Sequence, residues 1–100
     1  MSDVRFNGKR LEITLSASRE LSKTSCDLYD VLEILEEGYY CNPSKRKQNI
    51  QEKCLRKGNK EYKAVLADTQ VIYPDGYVEN ILRVIHFGVN TFNKKRRRQK

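Results

Sequence analysis

The chain has 100 residues, of which 38% are apolar and 33% charged, and its 20 Lys and Arg residues outweigh 13 Asp and Glu to give a formal net charge of +7. This length supports one hydrophobic core, and no apolar run approaches the roughly 18 residues that a membrane span requires. The first residues also lack the apolar stretch of a signal peptide, so the sequence argues against a membrane-spanning or secreted protein and predicts a cytoplasmic one.

The first predicted elements are a strand and a short helix. Apolar and polar residues alternate from Leu11 to Leu15, which is the period of a half-buried strand. Ser16 and Ser18 are alternative N-caps for a short helix that then covers residues 17–23.

The strongest helix signal lies in residues 27–37. Apolar residues recur there at intervals of three and four, and Gly38 follows as a stop signal. Residues 24–27 have the spacing of a capping box. The acidic side of this helix is interpreted as a solvated face, with a basic partner or segment 45–57 of the same chain as alternatives; its acids are Asp30, Glu33 and Glu37.

The second half predicts a loop and then three strands. Residues 39–44 are expected to form the loop, and the strands are expected over 49–57, 61–73 and 77–89, with the last one central in the sheet. The sequences between the strands, Gly58-Asn59 and Pro74-Asp75-Gly76, are typical of turns.

These elements predict an α+β fold: an N-terminal strand, two helices, and then a three-stranded antiparallel meander with one helix packed on the sheet. We expect a single domain over residues 1–92 and a basic disordered tail over residues 93–100.

The three cysteines are odd in number and contain no close pair, which predicts free thiols in a reducing compartment. Structural zinc usually takes ligands in Cys-x-x-Cys pairs, and this pattern is absent among Cys26, Cys41, Cys54 and His86. We therefore expect no metal and no cofactor.

Positive charge is concentrated in two zones. Segment 45–63 and tail 94–100 each carry a net +6, whereas the rest of the chain is mildly acidic. Like charges at this density repel unless an anion lies against them, so both zones predict binding to RNA or another nucleic acid. For the tail, a merely solubilising end is the alternative. The candidate binding residues are Lys45, Arg46, Lys47, Lys53, Arg56, Lys57, Lys60, Lys63, Lys94, Lys95, Arg96, Arg97, Arg98 and Lys100. Alternation along a regular strand places Lys53 and Arg56 on opposite faces.

Two stretches resemble a known family. Ile13-Thr14-Leu15-Ser16-Ala17-Ser18-Arg19 and Asp30-Val31-Leu32-Glu33-Ile34-Leu35-Glu36-Glu37-Gly38 resemble a family of small prokaryotic domains of uncharacterised function, similar to BrnT- and RelE-type ribonuclease toxins. The family's opening motif has His where this chain has Ser16. The resemblance implies RNA cleavage and a small antitoxin-like protein partner.

Metal-independent RNA cleavage needs a base, an acid and cations for the phosphorane charge. The candidate catalytic residues are Arg19, Arg46, Arg56, Tyr62 and His86. His86 is expected in a buried strand, where a structural role is the alternative to acid–base work. Several tyrosines could stack on unpaired bases or cover core edges: Tyr39, Tyr40, Tyr62, Tyr73 and Tyr77. Two other readings stay open: a non-catalytic nucleic-acid-binding accessory module, and a protein-interaction domain with an incidental basic tail.

Overall fold

The computed structural model describes residues 4–41 and 49–91. Strand residues make up 54% of them and helix residues 23%. In chain order the elements are β1 (Arg5–Phe6), β2 (Lys9–Ile13), α1 (Leu15–Lys23), α2 (Leu28–Glu37), β3 (Tyr39–Tyr40), β4 (Ile50–Lys57), β5 (Lys60–Ile72) and β6 (Val78–Thr91). The strands form one curled sheet in the order β1-β2-β6-β5-β4-β3. The β2–β6 pair is parallel and the other neighbours are antiparallel.

Each helix begins at a side chain that satisfies its first backbone donors. The Thr14 hydroxyl accepts from the Ala17 N–H, so α1 begins earlier than predicted and the serines are not its cap. At α2, Asp27 and Asp30 form a reciprocal capping box, so the predicted position of the box at residues 24–27 is wrong by three residues. The amphipathic helix over 27–37 is thus confirmed within one residue.

The helices cover one face of the sheet, here called the helix side. α1 contributes Ala17 and Leu21 to the core, and α2 contributes Val31, Ile34 and Leu35. The sheet contributes Leu11, Ala64, Leu66, Leu82, Val84 and Phe87. The opposite face is called the outer side.

A register shift between Val65 and Leu66 explains how two residues three apart reach the same core. Val65 pairs with His86, whereas Leu66 pairs with Val84. The irregularity lets both Val84 and Phe87 pack on the helix side, because strict alternation would send them to opposite faces.

The predicted three-stranded meander with one packed helix is wrong. Within residues 4–41 and 49–91 the sheet has six strands of mixed direction, and both helices contribute to the core. β2 joins the sheet by parallel pairing with β6, about 70 residues later in the chain, where Leu11 lies beside Leu82. Residues 39–40, predicted as loop, form the two-residue strand β3 on β4. Neither pairing leaves a local pattern in the sequence.

Gly38 is required by a close backbone approach. It ends α2 with an ordinary negative φ of −88°, and its N–H donates to the Ile34 carbonyl. A Cβ at this position would overlap the carbonyl oxygens of Ile34 and Cys54. The residue therefore lets β4 pass directly under the end of α2.

The cysteine prediction is wrong for two of the three residues. Cys41 and Cys54 form a disulfide with their Cα atoms 6.0 Å apart, and Cys26 is free. The bond becomes geometrically accessible because β3 pairs with β4, placing Tyr39 opposite Cys54. Neither helix of the described chain has the length and apolar character needed to cross a membrane.

Candidate nucleic-acid interface

Lys53 belongs to the basic segment 45–63, but its side chain is bonded within the folded protein. Its side chain is on the helix side, while Arg56 is exposed on the outer side, which confirms the predicted opposition of the two residues. Lys53 is only 9% exposed. Its Nζ donates to the Leu35 carbonyl at 3.0 Å and lies 4.8 Å from the centre of the Tyr40 ring. A cation here satisfies a carbonyl of the last turn of α2 and complements the negative end of its dipole.

Lys57 contacts the acidic side of α2. Its Nζ is 2.9 Å from Glu33 Oε1, and this hydrogen bond raises the pKa of Lys57. The same ammonium lies 5.8 Å from the Tyr62 ring centre. For Glu33, the interpretation as a purely solvated side chain is wrong and the alternative, contact with segment 45–57, is correct. Both side chains remain nearly half exposed, so the pair contributes little to stability.

Lys63 is also neutralised within the fold. Its Nζ is 3.6 Å from the Glu52 carboxylate, whose side chain is 2% exposed on the outer side of β4. A buried carboxylate needs such a counter-charge, since ions are costly to remove from water. Lys63 is therefore partly committed to Glu52.

The turn between β4 and β5 holds a separate group of cations. We call residues 56–60 the hairpin tip; it contains Arg56, Lys57 and Lys60 and no acid. Lys57 and Lys60 are directly opposite each other across the two strands. Lys60 is exposed, and its side chain makes no hydrogen bond or ion pair with another described residue. Thr91, the last described residue, pairs with Lys60, so the sequence that contains the basic residues 94–100 follows from this same end of the sheet.

Arg56 belongs to a small polar cluster on the outer side of the tip. It is opposite Glu61, whose carboxylate accepts a hydrogen bond from the Tyr39 hydroxyl. That bond raises the pKa of Tyr39, and the nearby Arg56 opposes the rise. The phenol is consequently held in its neutral, hydrogen-bonding form, with its ring 46% exposed.

The catalytic candidates that the structure describes do not converge. Tyr62 is on the helix side and Arg56 on the outer side, since Tyr62 pairs with Leu55 and Arg56 with Glu61. His86 is exposed on the outer side rather than buried as predicted. Its partner Val65 lies four residues beyond Glu61, or about 13 Å along the strand. Arg19 is exposed on α1.

Part of the predicted site lies outside the described residues. This holds for the catalytic candidate Arg46 and for the remaining basic candidates, Lys45, Lys47, Lys94, Lys95, Arg96, Arg97, Arg98 and Lys100.

The sequence reasoning missed a charge network on the outer side of β2 and β6. The Arg10 guanidinium binds both carboxylate oxygens of Glu79 at 3.0 and 3.1 Å, and it also binds Glu12 at 3.0 Å. Arg83 binds the other oxygen of Glu12, and the Tyr73 hydroxyl donates to Glu79.

The pKa values of this network follow its hydrogen bonds. Those from Arg10 and Tyr73 lower the pKa of Glu79 to about 2. Hydrogen bonds from Arg83 and Arg10 lower that of Glu12, and the two carboxylates raise that of Arg10. Arg5, which is opposite Arg10, also lowers the pKa of Glu79, so three cations surround two anions. The two carboxylates and the Arg10 and Arg83 guanidinium groups already bind one another.

A small cleft was also missed. It lies between the α1–α2 loop, residues 24–26, and the helix side of the β4–β5 hairpin, and it has a volume of about 180 Å³. Glu33, Lys57 and Tyr62 line it. Its walls come from three separate elements, so no local motif could have identified it.

Comparison of the chain with protein-family models, with characterised proteins and with solved structures found no match. The resemblance to ribonuclease toxins therefore stays a prediction from the sequence pattern.

Proposed function

We propose that this protein binds single-stranded RNA through the hairpin tip and the basic tail that follows Thr91. The observation that carries the proposal is the pairing of Thr91 with Lys60. It attaches a tail of net charge +6 to the same end of the sheet as a turn with three cations and no acid. One polyanionic strand could therefore contact both groups.

The opposition of Lys57 and Lys60 supports an anionic ligand at the tip. Like charges directly opposite in an antiparallel pair destabilise it, and Glu33 compensates only Lys57. A phosphate placed between the two ammonium groups would relieve the repulsion. Contacts of this kind supply affinity without reading the base sequence.

A single strand suits this surface better than a duplex. Exposed or half-exposed aromatic rings flank the tip on both sides of the sheet, with Tyr39 on the outer side and Tyr62 on the helix side. Unpaired bases can stack on such rings, whereas bases inside a duplex cannot. The proposal requires access to single-stranded RNA, which is abundant in the cytoplasm. The Cys41–Cys54 disulfide removes the free-thiol argument for that compartment.

Cleavage is not part of the proposal. Among the described residues, Arg19, Arg56, Tyr62 and His86 share no single surface, so no base, acid and cation set is assembled around one phosphate. A small antitoxin-like partner is likewise not proposed, because no observation on the described surface favours one.

The test is the salt dependence of binding to a labelled single-stranded RNA, measured by fluorescence anisotropy. Each phosphate contact contributes about 0.7 to the slope of log K against log salt on a single strand. Deletion of residues 94–100 should reduce the slope by about 3 to 4, and Lys60→Ala by about 0.7.

Lys9→Ala is the matched control. Lys9 is paired with Asp68 at 2.8 Å, and Asp68 is eight residues from Lys60, about 27 Å along β5. This variant should leave the slope unchanged. Unchanged slopes in both the tail deletion and Lys60→Ala would refute the proposal. RNA fragments on a denaturing gel would refute its restriction to binding.

A further inference from the structure

The cleft beside the hairpin tip has the size of one small heterocycle. Its volume of about 180 Å³ is below the roughly 300–1,000 Å³ of sites for drug-sized ligands. Tyr62 and Leu55 provide a flat apolar wall, and both are half-buried. Lys57 belongs to both the cleft and the hairpin tip, so a strand bound at the tip would pass the mouth of the cleft.

The loop that forms the opposite wall has two of its side-chain donors, Thr24 and Cys26, bonded within the protein. Ser25 has a left-handed φ of 59°, which turns the chain between the two helices. The Thr24 hydroxyl donates to carbonyls of the last turn of α1, and the Cys26 thiol donates to the Thr24 carbonyl. The Thr24 and Cys26 side chains therefore contribute shape, while Ser25 adds a hydroxyl to the wall of the cleft. The charged groups across the cleft select the ligand.

Two of those groups, Lys57 and Glu33, contact each other, and we call their polar atoms the row. Asp30 also lines the cleft, where its carboxylate accepts from the Asp27 N–H. Lys57 Nζ donates to Glu33 Oε1 at 2.9 Å, while Glu33 Oε2 accepts no hydrogen bond from another described residue. Read in order, Lys57 Nζ, Glu33 Oε1 and Glu33 Oε2 are a donor, an acceptor and an acceptor. Carboxylate oxygens have lone pairs to spare, so Oε1 can keep Lys57 while accepting a second proton donor.

We propose that this cleft binds one unstacked guanine base of the RNA strand. Guanine alone among the four RNA bases presents an acceptor followed by two adjacent donors, O6, N1–H and N2–H, and this edge complements the row formed by Lys57 and Glu33. Tyr62 offers its ring as the stacking surface. The inference rests on the proposed function, because the hairpin tip must first hold the strand.

The test compares short oligouridines that carry one central uridine, guanosine, adenosine or inosine, with affinities measured by fluorescence anisotropy. The guanosine oligomer should bind about tenfold more tightly than the oligouridine, in line with a good bidentate contact. Adenosine should give no gain, and inosine, which lacks the N2 amino group, should fall between the two.

Glu33→Gln tests the residue that reads the base. The amide keeps the size of the side chain but replaces one acceptor with a donor, so the guanosine preference should be lost. Oligouridine affinity should be kept or raised, because Lys57 loses its counter-charge. Glu36→Gln is the matched control, because Glu36 is an exposed carboxylate of the same helix that does not line the cleft. It should keep the full preference. Thermal unfolding of both variants verifies that they are folded.

The outcomes separate the two proposals. Equal affinity for guanosine and uridine oligomers, or a guanosine preference that survives Glu33→Gln, would overturn the guanine site and leave phosphate binding at the tip intact. Absence of salt-dependent binding to every oligomer would overturn both.

Discussion

Lys53→Met separates stability from RNA affinity within one basic segment. Methionine keeps most of the side-chain stem but removes the ammonium that donates to the Leu35 carbonyl at 3.0 Å. A hydrogen bond to a charged group contributes about 1.5–3 kcal/mol, and a cation at a helix C-terminus about 0.3–1 kcal/mol. The variant also avoids the desolvation cost of burying an ammonium group, which offsets part of this loss. We therefore expect a net destabilisation of about 2 kcal/mol.

Urea and thermal unfolding measure this effect. For a domain of this size about 2 kcal/mol lowers Tm by about 10 °C. Lys60→Met is the matched control. Because Lys60 is exposed, this substitution should change the free energy of unfolding of the protein by less than about 0.5 kcal/mol. RNA affinity should show the reverse order, with a loss in Lys60→Met and none in folded Lys53→Met. An unchanged Tm together with weakened RNA binding in Lys53→Met would refute the structural role assigned to this lysine.

Three further predictions concern the stability of the fold. Gly38→Ala should destabilise the protein by about 2–4 kcal/mol in urea unfolding, because the new Cβ would overlap two backbone carbonyls. Gly88→Ala should be close to neutral, because no atom lies within 4 Å of the new Cβ. Equal effects of the two substitutions would contradict the close approach at Gly38. Glu79 has a pKa of about 2 in the folded chain against 4.5 normally, so its stabilising contribution is complete above about pH 4.5 and is lost as pH falls towards 2. Over this range Tm should drop more steeply in the unmodified protein than in Glu79→Gln. Parallel curves of Tm against pH would exclude the contribution. Reduction of the Cys41–Cys54 disulfide should lower the free energy of unfolding by about 3 kcal/mol for a loop of this length. A variant with serine at both positions should not respond to the reductant. Identical urea midpoints of the unmodified protein with and without the reductant would show that the disulfide does not stabilise the fold.

Elements set by local chemistry could be predicted from the sequence. The period of three and four in residues 27–37 and the following Gly38 specify α2, and Gly58-Asn59 specifies the β4–β5 turn. These signals depend on contacts between residues a few positions apart. Leu15 shows their limit, since it continues the alternation of β2 but lies in α1 with a side chain 69% exposed. Thr14 caps the helix there, and the cap outweighs the strand pattern.

Features set by distant pairings could not be predicted. The parallel contact of β2 with β6 and the attachment of β3 to β4 have no local signature, and they decide the sheet order. The Cys41–Cys54 bond follows from the second pairing. The prediction of free thiols at Cys41 and Cys54 depended on the prediction that residues 39–40 form a loop.

The sequence shows segment 45–63 as a run of positive charge. It does not show which of these cations are paired within the fold and which are left at the hairpin tip. Alternation correctly predicted that Lys53 and Arg56 face opposite sides. It could not show that the C-terminal turn of α2 lies above Lys53, or that Glu52 is buried beside Lys63. Only after those cations are assigned to the fold does the hairpin tip remain as the cationic surface. The described catalytic candidates lie on different surfaces for the same reason, since residue types do not reveal which face of a strand they occupy.

The most direct test of RNA binding at the hairpin tip is an NMR titration of the isotope-labelled protein with a short single-stranded RNA. Amide shifts should be largest in residues 56–62 and at Thr91, and the backbone around Arg10 and Glu79 should stay unchanged. Shifts centred on the Arg10–Glu79 network, or no shift at the hairpin tip at saturating RNA, would contradict the account.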